Sequence, residues 1–299
     1  MWILSCLSLA LKDMSSLSFL LDIVREFLGT ALFLLMGLSS TTVLPAAFNT
    51  QDSISHNAEP STSYSISNLS LLQATQDCHK DPLQVALAFA AALVVVCVCM
   101  GAVQLNPALT LALALGLRLN PWRAMVFVAA QLLGALAACA ILMGIVPTAS
   151  QGQLGLNEVV PGVLLYQAVS MEMAVTFQLV FCGLAVSRPS STTSPSLSLG
   201  ALAISVMLGN LTAIGYTGCG MNPARSFGPA MVKHNFHNHW VYWVGPCAGA
   251  VLAWLSHDVL LWSRWSSVGD WINKLRELVL TVPQKHTDPE HIAGLEQET

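Results

Sequence analysis

The stretch Gln104-Leu-Asn-Pro-Ala-Leu-Thr110 contains the tripeptide Asn-Pro-Ala, and the same tripeptide returns in Gly220-Met-Asn-Pro-Ala-Arg-Ser226. Asn is a favoured N-cap, and Pro fits the first helical position because its missing N–H would have no partner there. Each tripeptide therefore predicts the start of a helix. The six residues that we single out are Asn106, Pro107, Ala108, Asn222, Pro223 and Ala224.

The segment that follows each tripeptide leads to a glycine, Gly116 in the first half and Gly228 in the second. A helix of about ten residues spans roughly 15 Å, which is half of a bilayer's hydrocarbon core of ~30 Å. Two half-helices of this length that enter a membrane from opposite sides would meet at its midplane, N-terminus to N-terminus.

The composition is that of an integral membrane protein. Of the 299 residues, 54% are hydrophobic and only 9% are charged, whereas soluble domains carry about 25% charged residues. The net charge of −4 is small and the Lys and Arg residues are scattered, which argues against nucleic-acid binding. Most of the eight cysteines lie in apolar runs, where cysteine behaves as a small hydrophobic residue. With no nucleophile–base pair and no metal-ligand cluster, we expect neither an enzyme, a metal site nor a cofactor.

Two long intervals, 82–117 and 189–224, each hold 36 residues without Asp, Glu, Lys, Arg or His. The first is too long for one span of ~20 residues and too short for two with a turn. One span plus a half-helix fits it, and fits the second once a Ser/Thr/Pro-rich linker is set aside. The sequence thus predicts an all-α membrane protein with six transmembrane helices and two re-entrant half-helices. The spans are expected at about 19–44, 83–100, 121–146, 162–186, 197–214 and 239–262.

The two halves of the chain form a repeat. Glu26 is followed four residues later by Thr30, and Glu172 is followed at the same distance by Thr176. Because each repeat has three spans, an odd number, the second repeat is inverted in the membrane. Such inverted repeats hold their functional site at the midplane between them. The predicted organisation is a cytosolic lead-in at 1–18, repeat one at 19–146, repeat two at 162–262 and a cytosolic tail at 263–299.

Lysine and arginine residues indicate the orientation. Arg25, Arg118, Arg188 and the cations of the tail fall on one side of the predicted membrane, which is expected to be cytosolic. Both termini are then cytosolic, and the polar loop after the first span is extracellular. Its sequon, Asn68-Leu-Ser70, is a candidate N-glycosylation site. We expect a multi-pass protein of the plasma membrane.

The chain resembles the aquaporins of the major intrinsic protein family over about residues 19–262. The likeness rests on two Asn-Pro-Ala boxes at corresponding places in an inverted repeat, so that 19–262 would be one channel domain. The stretch Gly215-Tyr-Thr-Gly-Cys-Gly-Met-Asn-Pro-Ala-Arg-Ser-Phe-Gly-Pro229 is similar to the orthodox, water-selective branch. In the glycerol-conducting branch, Asp typically follows the Arg after the second box, and here the residue is Ser226.

The resemblance implies a passive water channel in the lipid bilayer, with one pore in each subunit of a homotetramer. Asn106 and Asn222 would donate N–H groups to a water molecule where the half-helices meet. Each helix N-terminus carries roughly +0.5 charge, and a water oxygen that accepts both bonds passes no proton along its file. Glu26 and Glu172 are expected to brace the loop carbonyls rather than to relay protons.

The resemblance also assigns four residues to the narrow filter of the pore: Phe89, Asn210, Cys219 and Arg225. Arg225 would supply a fixed positive charge that repels cations, and its guanidinium would donate to passing water. Cys219 is expected to be accessible from the pore. At the position of Asn210 the water-selective branch normally has His. Asn is smaller and never charged, so this departure predicts a filter that is wider or differently polar.

The approach to the first box departs from the family as well. The family usually has Gly-Ala-His before Asn-Pro-Ala, whereas this chain has Ala102-Val103-Gln104 and looks a few residues short between Phe89 and Asn106. Two alternatives to a water channel therefore stay open. One is a broader pore for neutral solutes such as ammonia, peroxide, urea or glycerol. The other is a membrane-junction protein with weak conduction.

Overall fold

The computed structural model describes residues 13, 16–42, 81–147, 151–188, 194–261 and 267–280. The regular elements of this part of the chain are helices. The predicted sequon at Asn68, most of the lead-in at 1–18 and most of the tail at 263–299 lie outside the described residues.

In the described chain, four α-helices precede the connecting loop at 151–164 and five follow it. In order they are α1 (Leu17–Ser39), α2 (Pro82–Met100), α3 (Pro107–Leu115), α4 (Pro121–Ile145), α5 (Leu165–Val186), α6 (Pro195–Thr217), α7 (Pro223–Lys233), α8 (Val241–Trp254) and α9 (Val268–Leu280). α8 continues as a π-helix, Leu255–Leu261. The two half-helices are α3, with nine residues, and α7, with eleven.

One local signal, a short polar residue followed by Pro, begins most of these helices. Asp81, Asn120 and Ser194 each precede a Pro at the first helical position, and each side-chain oxygen accepts a hydrogen bond from a backbone N–H of the first turn. The half-helices begin in the same way at Asn106 and Asn222. The side chain thus satisfies an N–H group that has no partner within the helix.

Five helices of the described chain are long and apolar enough to cross a bilayer: α2, α4, α5, α6, and α8 with its π-helical end. α1 is equally long, with 23 residues, but it carries Asp22, Arg25 and Glu26. Glu26 is only 2% exposed, so this acid faces the protein interior and not lipid. The predicted fold class, six spans and two half-helices in an inverted repeat, is confirmed.

The two repeats pack in the same pattern. α1 packs against α2 and α4, and α5 packs against α6 and α8 in the same way. α2 and α6 join the repeats to each other. Each half-helix lies against the last long helix of the other repeat, α3 on α8 and α7 on α4. This exchange brings the N-termini of the half-helices together at the centre of the protein.

A glycine lies at a close helix crossing in each repeat. A Cβ atom at Gly134 on α4 would lie 2.4 Å from the carbonyl oxygen of Phe27, and one at Gly249 on α8 would lie 2.4 Å from that of Met173. Small residues let the backbones of membrane helices approach closely. The equivalent glycines therefore hold α1 against α4 and α5 against α8 in the same way.

Helix α1 ends at Ser39, five residues before the boundary that the apolar run predicts. The hydroxyl groups of Ser39, Ser40 and Thr41 donate to the carbonyl oxygens of the residues three positions earlier, at 2.7, 2.7 and 2.6 Å. Side chains of this kind offer the backbone an alternative to the helical hydrogen bonds. Because they satisfy the last carbonyl groups, the helix stops within the hydrophobic run.

Helix α9, in the predicted tail, contacts the first half-helix. Trp271 Nε1 donates to the carbonyl oxygen of Leu115, the last residue of α3, at 2.9 Å. Asn120 Nδ2 donates to the carbonyl oxygen of Leu278 at 2.8 Å. The last carbonyl groups of a helix have no partner within it, so Trp271 satisfies a group at the outer end of α3.

Candidate functional site

The side chains of Asn106 and Asn222 cap the two half-helices. Asn106 Oδ1 accepts from the N–H of Ala108 at 2.9 Å, and Asn222 Oδ1 accepts from the N–H of Ala224 at the same distance. Each Pro that follows occupies the first helical position. The oxygen of each amide is thereby committed to its own helix, and its two N–H groups face the opposite repeat.

The two asparagines bond across the centre of the protein. Asn106 Nδ2 donates to the carbonyl oxygen of Met221 at 3.0 Å, and Asn222 Nδ2 donates to that of Leu105 at 2.7 Å. Leu105 and Met221 have positive φ angles of 61° and 52°, a conformation that non-glycine residues adopt rarely. An amide nitrogen carries two hydrogens, so each cross-bond leaves one donor on each asparagine.

Glu26 and Glu172 hold the backbone that precedes each box. Glu26 accepts from the N–H groups of Gln104 and Leu105 at 2.6 and 3.0 Å. Glu172 accepts from the N–H groups of Gly220 and Met221, both at 2.8 Å. From the resemblance we expected the two acids to brace the loop carbonyls. Instead, their carboxylates accept from the adjacent backbone N–H groups. Fixing these peptide planes also fixes the direction of their carbonyl oxygens.

A neutral side chain supports each acid. Gln131 Nε2 on α4 donates to Glu26 Oε2 at 2.9 Å, and Thr217 Oγ1 donates to Glu172 Oε1 at 2.5 Å. Both supporting residues are fully buried. Sequence reasoning missed them, although a Gln within an apolar span is an available signal, because buried polar side chains in a membrane need partners.

A central cavity lies where the half-helices meet. Its polar lining is formed by Gln104, Asn106, Asn210, Asn222 and Arg225. Its remaining lining is mostly apolar and comes from Phe33, Phe89, Leu93, Cys97, Val103, Leu105, Leu109, Leu179, Leu202, Val206, Cys219, Gly220 and Met221. The cavity thus offers a few hydrogen-bonding groups along an apolar wall.

All four residues that the resemblance assigns to the filter line this cavity. The guanidinium carbon of Arg225 lies 5.5 Å from the ring centroid of Phe89. Arg225 Nη1 also donates to the carbonyl oxygen of Gly155, and the side chain is 4% exposed overall. A loop carbonyl and an aromatic face therefore hold the charged group at the cavity wall.

Asn210 and Cys219 are more enclosed than the sequence suggests. Asn210 is 2% exposed, and its Nδ2 donates to the carbonyl oxygen of Val206 on the same helix at 2.9 Å. Cys219 is 1% exposed, although we expected access from the pore. The residue nevertheless lines the cavity. A second cysteine that sequence reasoning did not place there, Cys97, also lines the cavity.

The loop between the repeats contributes to the site, which the sequence analysis did not anticipate. Asn157 is 4% exposed. Its Oδ1 accepts from Ser226 Oγ at 2.9 Å, and its Nδ2 donates to the carbonyl oxygen of Thr217 at 3.3 Å. Together with the carbonyl of Gly155, this asparagine ties the loop to the start of α7.

No group of three or more metal-ligating side chains occurs among the residues described.

The chain is similar in sequence to known proteins. The model of the family described as "Major intrinsic protein" matches residues 13–257. Human "Aquaporin-5" is 38% identical over 266 residues, which cover 87% of this chain and 88% of that protein. Human "Aquaporin-1" is 37% identical over 250 residues, covering 83% and 84%. The rabbit (Oryctolagus cuniculus) "Lens fiber major intrinsic protein" is 44% identical over 200 residues, covering 65% and 75%.

The fold is also that of a solved channel structure. The aquaglyceroporin from Plasmodium falciparum superimposes with a TM-score of 0.61, covering 81% of this chain and 97% of that one at 22% identity. This likeness supports the fold alone, and the family model and the relatives carry the assignment. The chain belongs to the major intrinsic protein family.

Proposed function

We propose that this protein is a passive water channel that conducts water in single file and excludes protons and ions. Members of its family are membrane channels and not enzymes, so the proposal concerns which solute this channel conducts. The observation that carries the proposal is the pair of side-chain amides of Asn106 and Asn222, each of which donates to a backbone carbonyl oxygen of the opposite repeat. They present their remaining N–H donors at a cavity with an otherwise largely apolar wall.

The proposed mechanism of proton exclusion follows from the donors and the helix ends. A water molecule at the midplane accepts a hydrogen bond from each asparagine through its oxygen. Its own hydrogens then point away from the centre, in opposite directions along the file. Since both half-helix N-termini carry positive partial charge, a proton meets an electrostatic barrier at the point where the hydrogen-bond chain reverses.

Glu26 and Glu172 serve in this proposal as braces that keep the two loops in register. Each carboxylate binds two adjacent N–H groups, so the carbonyl oxygens of Leu105 and Met221 stay in reach of the asparagines. Arg225 acts as the fixed positive charge of the filter, opposite Phe89, with Asn210 and Cys219 completing it. None of these roles requires a cofactor.

A swelling assay tests the function. Purified protein in proteoliposomes is exposed to osmotic gradients of an impermeant solute, then of glycerol and of urea. We expect rapid water flux with a low activation energy and little glycerol or urea flux. Fast entry of glycerol or urea would favour the broader neutral-solute pore, which the Asn210 departure motivates. Water flux equal to that of protein-free vesicles would favour the membrane-junction alternative.

Assembly and topology are part of the same proposal. We propose a homotetramer in the plasma membrane, with both termini cytosolic and Asn68 glycosylated on the outside. Analytical ultracentrifugation in mild detergent is expected to give a tetramer. Removal of N-glycans is expected to sharpen the gel band of the parent but not that of the Asn68→Gln variant. A monomer alone in mild detergent would contradict the proposed assembly.

Asn210 is expected to widen the filter, and Asn210→His tests this. A His ring is larger than the Asn amide and would project toward Phe89 and Arg225. We expect similar or modestly lower water flux in the variant and a reduced leak of ammonia and hydrogen peroxide. The variant also gains a titratable group near neutrality, and so a pH dependence that the parent lacks at this position. Equal small-solute permeability in both proteins would mean that residue 210 does not set the filter.

Cys219 is expected to make the channel sensitive to mercury. Its thiol lies in the cavity wall beside the filter, where a bound metal ion would block the narrow section, and the thiolate is the metal-binding form. We expect Cys219→Ser to conduct water and to resist Hg²⁺. Cys97→Ser is the matched control, since Cys97 lines the same cavity. Loss of inhibition in the control alone would assign the block to Cys97.

A further inference from the structure

The Phe89 ring packs against a glycine of the first helix. An ideal Cβ atom at Gly37 on α1 would lie 2.4 Å from Phe89 Cε1, 2.5 Å from Cδ1 and 2.8 Å from Cζ. Distances below 3.0 Å are essentially never seen for a real Cβ atom. The ring therefore occupies the space that any side chain at residue 37 would take.

Two other contacts bound the ring. Phe33 on α1 meets it edge-on, with 5.6 Å between ring centroids and an angle of 68° between planes. Arg225 faces it from the opposite repeat at 5.5 Å. Phe33, Phe89 and Arg225 all line the central cavity, so the free space next to the ring is the cavity itself. A ring displaced from Gly37 would move into it.

Gly37 has no conformational reason to be glycine. It lies inside α1 and is absent from the residues with positive φ. Glycine inside a helix costs about 1 kcal/mol relative to alanine. The space that the Phe89 ring takes beside residue 37 supplies a packing reason for the missing side chain.

We propose that Gly37 is a specificity-determining position. Because it has no side chain, the Phe89 ring can pack against α1, and the position of this ring sets the width of the filter. This inference rests on the proposed pore function. Gly37 and Asn210 act in the same direction from different helices, since each removes side-chain volume next to the cavity. Gly37 acts through Phe89 and is a positioning residue that does not itself touch the solute.

Gly37→Ala is the test, with two companion variants. We expect the alanine to push the ring into the cavity, lower water flux per channel, and reduce the ratio of ammonia and peroxide flux to water flux. Gly37→Ala combined with Phe89→Leu is expected to restore flux, because the smaller side chain no longer fills the cavity. Gly144→Ala is the matched control, since Gly144 also lies within a spanning helix and a Cβ there meets nothing within 4 Å.

A readout independent of conduction separates this inference from the proposed function. 4-Fluorophenylalanine at position 89 is expected to change its ¹⁹F chemical shift in Gly37→Ala and to keep it in Gly144→Ala. An unchanged shift together with unchanged flux ratios would overturn the inference. If the parent conducts nothing but the shift still moves, the pore function fails while the positioning of Phe89 by Gly37 stands.

Discussion

Replacing Glu172 with Leu is expected to lower the stability of the folded protein strongly. The carboxylate accepts bonds from Gly220 N, Met221 N and Thr217 Oγ1 at a position with no solvent exposure. A buried donor without a partner costs about 1–3 kcal/mol. The variant recovers part of the cost of burying an acid, but two N–H groups and one hydroxyl lose this acceptor together. The expected net loss of stability is therefore several kcal/mol.

The measurement is thermal unfolding of purified protein in detergent, followed by tryptophan fluorescence and by the fraction that remains monodisperse. Glu172→Gln is expected to lie between the parent and the Leu variant, because one oxygen remains while an NH₂ group faces a backbone donor. Glu158→Gln is the matched control. Glu158 is exposed and bonds only to the partly exposed Asn235 in the described contacts, so its effect should be within about 0.5 kcal/mol. An unfolding temperature for Glu172→Leu equal to that of the parent would contradict the bracing role.

Replacing Arg225 with Val is expected to open the pore to cations and protons. In the parent, the guanidinium is held by Gly155 and faces Phe89, so a fixed charge stands in the cavity wall. A cation that enters the same low-dielectric region is repelled by the Arg225 charge more strongly than it would be in bulk water. Without the side chain, the barrier that remains is that of the two half-helix ends, and the filter is wider.

Proton flux into vesicles loaded with a pH-sensitive dye, and potassium conductance in a planar bilayer, measure the leak. Arg225→Lys is the comparison, because it keeps the charge and loses the planar fork that bonds to Gly155. We expect Lys to exclude cations better than Val does, with altered water flux. If the Val variant excludes protons as well as the parent does, the half-helix ends alone form the barrier.

The sequence predicted the elements whose signals are local. A capping residue followed by Pro marks the half-helices at Asn106 and Asn222, and uncharged runs mark the spans. The end of α1 was predicted too late in the chain, since the hydroxyl groups of Ser39 and Ser40 stop the helix inside an apolar run. Glu26 and Glu172 were recognisable because the repeat duplicates them.

The rest of the site depends on contacts between residues distant in the chain. Gly155 and Asn157 lie in a loop without a recognisable motif, yet they bond to Arg225 and Ser226. Cys97 had no feature that separated it from the other cysteines of the apolar runs. Gly37 likewise looks like any helical glycine until the Phe89 ring is seen against it. Such roles arise from tertiary packing and are not written in local spacing.

The bond between Trp271 and the carbonyl of Leu115 has a consequence for how the chain matures. Its two residues are 156 positions apart, so the ribosome must translate most of the protein before the donor exists. Until then, the carbonyl group of Leu115 at the outer end of α3 lacks this donor. At the inner end, Asn106 Nδ2 lacks its acceptor until Met221 has been synthesised. The first half-helix is thus synthesised early, and its hydrogen bonds are completed late. A chain that ends before residue 271 would lack the donor to the last carbonyl group of α3.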